Sequence, residues 1–239
     1  MGFLVFGARK AIALKLEDSI GEDFGAMPSI SSNQPAAGRS EVGTGDRPAK
    51  VLAHLTLEEY LRYDDGTDTR YELVSGELAA MPPESPQNVS IALFLMMQFL
   101  RFFPVNQVSN KAEIVVAGSR TTTRLPDVTV FGEALAIVLQ TATRSTVLPD
   151  MPPPLLVVEV VSPGKTNRDR DYRYKRSEYA ARGIQEYWIV DAETAQVTVL
   201  SLVEGLYEES QYPASAVVAS QILPDLKLTV KTILNAGLS

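Results

Sequence analysis

Beyond residue 50 the chain alternates short apolar runs with breaks marked by Gly, Pro and polar clusters, and each run reads as one element. Thr56-Leu57-Glu58-Glu59 has the form of a capping box and predicts a short helix to about Asp64. RYELV and ELAAM flank Ser75-Gly76, so an antiparallel hairpin is expected there, ended by Pro82-Pro83. Ser85-Pro86 opens a long helix to about Phe103. That helix is apolar nearly all round, which predicts burial against a sheet or a partner chain. Strands are expected at about 107–117 and 124–131, with the polar SRTTT as the turn between them. Residues 132–154 read as irregular and end in Pro152-Pro153-Pro154.

LLVVEVVS (155–162) is a continuous apolar run of strand length, the pattern of a strand buried on both faces. A helix to Arg182 follows, with Asn167 as its expected cap and Gly183 where a C-terminal cap belongs. EYWIVD and QVTVLSLV are the next strands, joined by Ala192-Glu193-Thr194, and LPDLKLTVKTIL reads as a strand or a short final helix. Strand, helix, strand around 155–190 requires a crossover, so those two strands are expected to be parallel. The fold class is mixed α/β with an antiparallel portion.

The first fifty residues have another character. Residues 25–49 are rich in Gly, Ser, Pro and Ala and cannot bury enough surface to stay ordered. We expect a flexible arm over 1–50 and one folded domain over 51–239. The opening FLVFG is too short for a secretory signal, and no run reaches the roughly 18 apolar residues of a membrane span. The expectation is a soluble, cytoplasmic protein with no membrane partner.

Composition narrows the chemistry. There is no Cys, which excludes a thiol nucleophile and Cys-bound zinc, and the single His54 excludes a multi-His metal site within one chain. With 22 Lys+Arg against 29 Asp+Glu the net charge is −7, which argues against coating nucleic acid by bulk charge. The charge is uneven. Lys165, Arg168, Arg170, Arg173, Lys175 and Arg176 crowd one segment, opposed only by Asp169 and Asp171, and Arg120 and Arg124 form a smaller basic pair. Such a run reads as a solvated face or as a place that steers an anionic substrate.

Two carboxylates stand out. Glu159 lies in VVEVV, where an unpaired charge would lose several kcal/mol of solvation, so it must be neutral, paired or metal-bound. Asp127 interrupts a strand just after Pro126, in a position where Asp is depleted unless something needs it. Acids from two adjacent strands make a hard-oxygen site suited to magnesium or manganese. On the basic helix Tyr172 and Tyr179 share a face, with Lys175 and Arg176 on either side of it; either could project toward the carboxylates.

RYELVSGELAAMPPES, RLPDVTVF, PLLVVEVVSP, the Asp171-Lys175-Tyr179 spacing and GIQEYWIVD together resemble the Uma-two family of predicted bacterial endonucleases, over about 54–234. That family belongs to the PD-(D/E)XK restriction-endonuclease-like superfamily. The resemblance implies a mixed β-sheet flanked by α-helices, with an N-terminal hairpin, acting on DNA. It implies Asp127 and Glu159 as metal-binding catalytic acids, the Val160 carbonyl as a further ligand, Lys175 rather than Arg176 as the family's catalytic basic residue, and Glu72 as an assisting acid. The superfamily's usual Lys position, two after the second acid, is Val161 here. Lys165, Arg168, Arg170 and Arg124 are then the expected nucleic-acid contacts, and magnesium or manganese the cofactor. Many relatives carry His where this chain has Asn88. A fold-sharing binding or adaptor protein without hydrolysis is the alternative. The apolar helix after Ser85 and the EYWIVD strand point to a homodimer.

Overall fold

The computed structural model describes residues 54–116 and 120–238, so the expected arm over 1–50 lies outside the described residues. The capping box forms: Thr56 and Glu59 exchange side-chain and backbone hydrogen bonds at the head of α1 (Leu57–Leu61). The helix stops short of Asp64 because Asp64 and Asp65 accept the N–H groups of Gly66 and Thr67, a local alternative to helical bonding. β1 (Tyr71–Val74) and β2 (Glu77–Ala80) pair antiparallel as expected. Ser75 and Gly76 both take the positive φ that a two-residue hairpin turn requires.

Ser85 caps α2 (Pro86–Phe99), which ends before the expected Phe103. Its Ile91, Leu95 and Phe99 are buried, and Phe99 meets Trp188 edge-on at 5.7 Å. Each such side chain contributes about 1.5–3 kcal/mol by leaving water.

Both strands expected next are divided. The first splits around Asn110-Lys111 into β3 (Val108–Ser109) and β4 (Glu113–Val116), in different sheets. The polar SRTTT segment is partly strand, since β5 (Thr122–Arg124) pairs with β4. Leu125-Pro126-Asp127 then separates β5 from β6 (Val128–Val130). Pro126 has no N–H to give a ladder. Residues 132–154 are not wholly irregular: EALAIVLQ forms α3 (Glu133–Gln140), burying Leu135 and Ala136, and β7 (Thr146–Val147) runs parallel to β4.

β8 (Leu156–Val160) is buried throughout. The helix after it runs as α4 (Lys165–Asp169), a π-helical turn (Arg170–Lys175) and α5 (Arg176–Arg182). Gly164 occupies the cap position; Asn167, the expected cap, lies inside the first turn and donates to the Pro163 carbonyl at 2.8 Å. Gly183 closes the helix with φ 83°, as expected. β9 (Glu186–Asp191) and β10 (Gln196–Val203) follow. β11 (Leu206–Pro213) pairs along the whole of β10 and was not foreseen, because an edge strand exposed on most of its length carries no apolar pattern. The tail resolves to α6 (Val230–Leu234), capped by Thr229.

The main sheet has the order β11-β10-β9-β8-β6-β3, with β8 and β9 parallel and its other pairs antiparallel. Leu156, Val158 and Val160 face one core with α2 and α6, while Val157 and Val161 face another with Tyr179 and Tyr187. By strand alternation Glu159 belongs to this second face, under the α4–α5 helix. Among the described residues no helix is long and apolar enough to cross a membrane.

Candidate active site

Glu159 is buried and its two oxygens have separate partners. The Tyr179 hydroxyl donates to Oε1 at 2.6 Å, and Lys175 Nζ lies 2.8 Å from Oε2. Lys175, also buried, is 3.1 Å from Asp171 Oδ1. The π-helical turn widens the helix where Asp171 and Lys175, four residues apart, both turn inward. The structure thus separates the two basic candidates: Arg176 turns away to Glu209 at 2.5 Å and to the Tyr207 carbonyl.

Asp127 comes from the neighbouring strand. The antiparallel register sets Val128 opposite Val158, so Asp127 stands one step further on, beside Glu159. The Val160 N–H donates to Asp127 Oδ2 at 2.6 Å, and the Asp127 N–H donates to the Val158 carbonyl at 3.1 Å. A strand residue presents its N–H and carbonyl on the same side, so the Val160 carbonyl opens toward Asp127.

The charges are crowded. Burial pushes the Asp127 carboxyl up to about 6, with Glu84 and Asp171 adding to it against the Val160 N–H and Lys175. Burial likewise pushes Glu159 up, opposed by Lys175 and reinforced by Asp171 and Asp127. Burial works against the Lys175 charge, but Glu159, Asp171 and Glu72 outweigh it and hold the ammonium protonated.

Glu72 is buried beside this group but its oxygens are engaged: Oε2 accepts from Arg124 at 2.9 Å and Oε1 from the Leu125 N–H at 3.0 Å. It braces the segment that leads into Asp127. Arg124 requires a correction. Expected to contact nucleic acid, it is buried, and its remaining nitrogens bind both oxygens of Glu178 at 2.7 and 2.8 Å. Buried and clamped between Glu72 and Glu178, its guanidinium is withdrawn from the surface where a phosphate would sit.

The other expected contacts lie on α4 and the π-helical turn. Exposed Lys165 pairs with Asp169, Arg168 with buried Asp191 at 2.9 Å, and Arg170 with Asp171 at 3.4 Å. Arg173 and Tyr174 stand exposed on the same helix. Asn88 is buried at the head of α2 and donates to Glu84 Oε2 at 3.3 Å, the oxygen that also accepts from the Ser162 hydroxyl.

Glu84 and Asp171 therefore adjoin the candidate site, and sequence reasoning did not select them. Asp171 was visible in its spacing from Lys175. Glu84 sits in a Pro-rich loop inside the MPPES stretch, with no spacing to another acid that would mark it. A groove of about 720 Å³ passes Asp127 and Glu84, walled by Arg70, Pro82, Val89 and Leu93.

The donor set suits a hard cation: two carboxylates and a carbonyl, all oxygen. Burial is the main cause of the upward push on Asp127 and Glu159, and a bound cation would oppose it. Among the described residues no three or more His, Cys, Asp or Glu side chains form a ready-made cage. Magnesium, which keeps several waters, needs only one or two carboxylates.

The mixed sheet flanked by helices is a restriction-endonuclease-like fold. The crystal structure of "a putative nuclease belonging to DUF820" from Anabaena variabilis shares it, with TM-score 0.58 and 16% identity, covering 76% of this chain and 98% of that one. The chain belongs to the Uma2 family, described as "Putative restriction endonuclease", whose family model matches residues 57–231. No curated protein matches the chain.

Proposed function

We propose that this protein is a divalent-metal-dependent endonuclease that hydrolyses DNA phosphodiester bonds. What supports this is the convergence of Asp127, Glu159 and Lys175 at one end of β6 and β8, beside an open groove, in a chain of the Uma2 family. Asp127 and Glu159 would hold magnesium or manganese together with the Val160 carbonyl. A carboxylate offers about four lone pairs, so Glu159 keeps acceptor capacity beyond Tyr179 and Lys175. The bound ion supplies polarisation of a phosphoryl oxygen and a lowered pKa for water.

The protein's own groups do the rest. Lys175, held protonated by Glu159 and Asp171, offsets charge that builds on the phosphate. Tyr179 fixes the orientation of Glu159. Glu72 and Arg124 hold the strand ends in place. Lys165 contacts the DNA backbone at small cost, because an exposed pair such as Lys165–Asp169 is worth little. Arg168 and Arg170 would contribute through the N–H donors they keep free while still holding the buried Asp191 and Asp171. Since the chain is acidic overall, its hold on DNA is local and strongly weakened by salt.

The test is incubation of purified protein with plasmid and linear DNA in magnesium, manganese or chelator. Metal-dependent cleavage, lost in Asp127→Ala and Glu159→Ala, is expected. No cleavage by the wild type, or unchanged cleavage by either variant, refutes the proposal. One observation favours a second reading, a binding protein without hydrolysis: Glu159 already has a partner on each oxygen. Calorimetric titration separates the two, since only the nuclease requires magnesium to bind at Asp127 and Glu159.

A further inference from the structure

The stretch Pro86–Phe99 contains no charged residue, yet it is not enclosed. Ile91, Leu95 and Phe99 point into the core, while Val89 (43%), Leu93 (44%), Met97 (65%) and Leu100 (38%) remain exposed on the other side. Their spacing of four, four and three residues draws one stripe along the helix. A helix that lies on a protein surface normally turns polar residues to water. Here both faces are apolar. The exposed run continues past the helix in Phe102 and Val105.

We propose that this face of α2 is a two-fold interface between two copies of this chain. Three features single out a second copy as the occupant. The stripe offers no charge for a differently charged partner to answer, so an identical stripe suits it. The Val89-Leu93-Met97 row is a ridge of the i±4 kind, and two such ridges interlock when helices cross at about −50°, a packing a helix can form with its own copy. The four side chains of the stripe expose roughly 350 Å², enough for the apolar centre of a standard interface of about 800 Å² per partner. A lipid surface is a poor fit, because membrane-lying helices carry Lys or Arg along the polar face and none occurs between Pro86 and Leu100.

The position matters for the site. Val89 and Leu93 also line the groove that contains Asp127 and Glu84. A second copy seated on the stripe stands at the rim of that groove and helps to form its wall.

Light scattering on the full chain at about 10 µM tests this. The wild type is expected near twice 26.1 kDa. Leu93→Glu and Met97→Glu, which each place an unpaired charge in the interface twice, are expected to raise the dissociation constant by at least about 100-fold and to run as monomers. Both positions are exposed in the single chain, so the variants should melt as a folded protein. A monomeric wild type overturns the proposal, as does a dimer that both variants leave intact. A monomer destabilised by Leu93→Glu also overturns it, since the stripe is then covered from within the chain. The readout is independent of the chemistry: a Leu93-sensitive dimer that neither binds magnesium nor cleaves sinks the nuclease reading alone, and a monomer that cleaves sinks the interface alone.

Discussion

Replacing Asp127 by Asn should make the metal-free protein more stable at neutral pH. The Asp127 carboxyl is carried from its ordinary 3.8 to about 6, chiefly by burial. Because the folded pKa lies above the unfolded one, Asp127 costs nothing below about pH 4, and stability is lost as pH rises toward 6 and beyond. The full difference corresponds to about 3 kcal/mol, and the partial exposure of the side chain brings the expected gain to about 1–2 kcal/mol. For a chain of this size that is a rise of roughly 2–8 °C in melting temperature. Asn keeps an oxygen to accept the Val160 N–H, so the change removes charge and little else. The assay is thermal unfolding of both proteins at pH 7.5 and pH 4 in chelator, then at pH 7.5 with magnesium. Asn should raise the midpoint only at pH 7.5, and magnesium should raise it only in the wild type. A variant that melts lower at pH 7.5, or gains as much at pH 4, rules out a burial penalty on the Asp127 charge.

Lys175→Met leaves Glu159 and Asp171 buried without their shared cation and should cost about 3–5 kcal/mol at neutral pH, measured by urea unfolding. Adding Glu159→Gln should restore part of that loss, which a double-mutant cycle reads as coupling. Burial acts to raise the Glu72 pKa, but Lys175 and Arg124 outweigh it and hold it below its ordinary value. Its contribution is therefore present above the ordinary glutamate range and lost as pH falls through the depressed pKa; Glu72→Gln should flatten the acid limb of stability against pH. Arg124→Ala should destabilise by about 3–5 kcal/mol with little change in the salt dependence of DNA binding, whereas Lys165→Ala should lower that salt slope by about one.

Whatever depends on neighbours along the chain was legible in the order of residues. The Thr56–Glu59 capping box, the Ser75-Gly76 hairpin turn, the Gly183 cap and the buried run around Glu159 each carry their cause within a few residues. Glu159 was legible because a carboxylate among the six aliphatic residues of LLVVEVV has no solvent to face. Tertiary structure decided the partners. Arg124 looked like a surface cation until Glu72 and Glu178, from other elements, closed on it. Lys175 and Arg176 were equivalent at 3.6 residues per turn, and the π-helical turn together with the strand beneath made one inward and the other outward. Glu84 joined the site because the loop before α2 returns to the end of β8, a proximity that no local spacing encodes. Local signals report the backbone's own preferences, whereas a buried charge takes its role from groups that only the folded chain brings within a few ångströms.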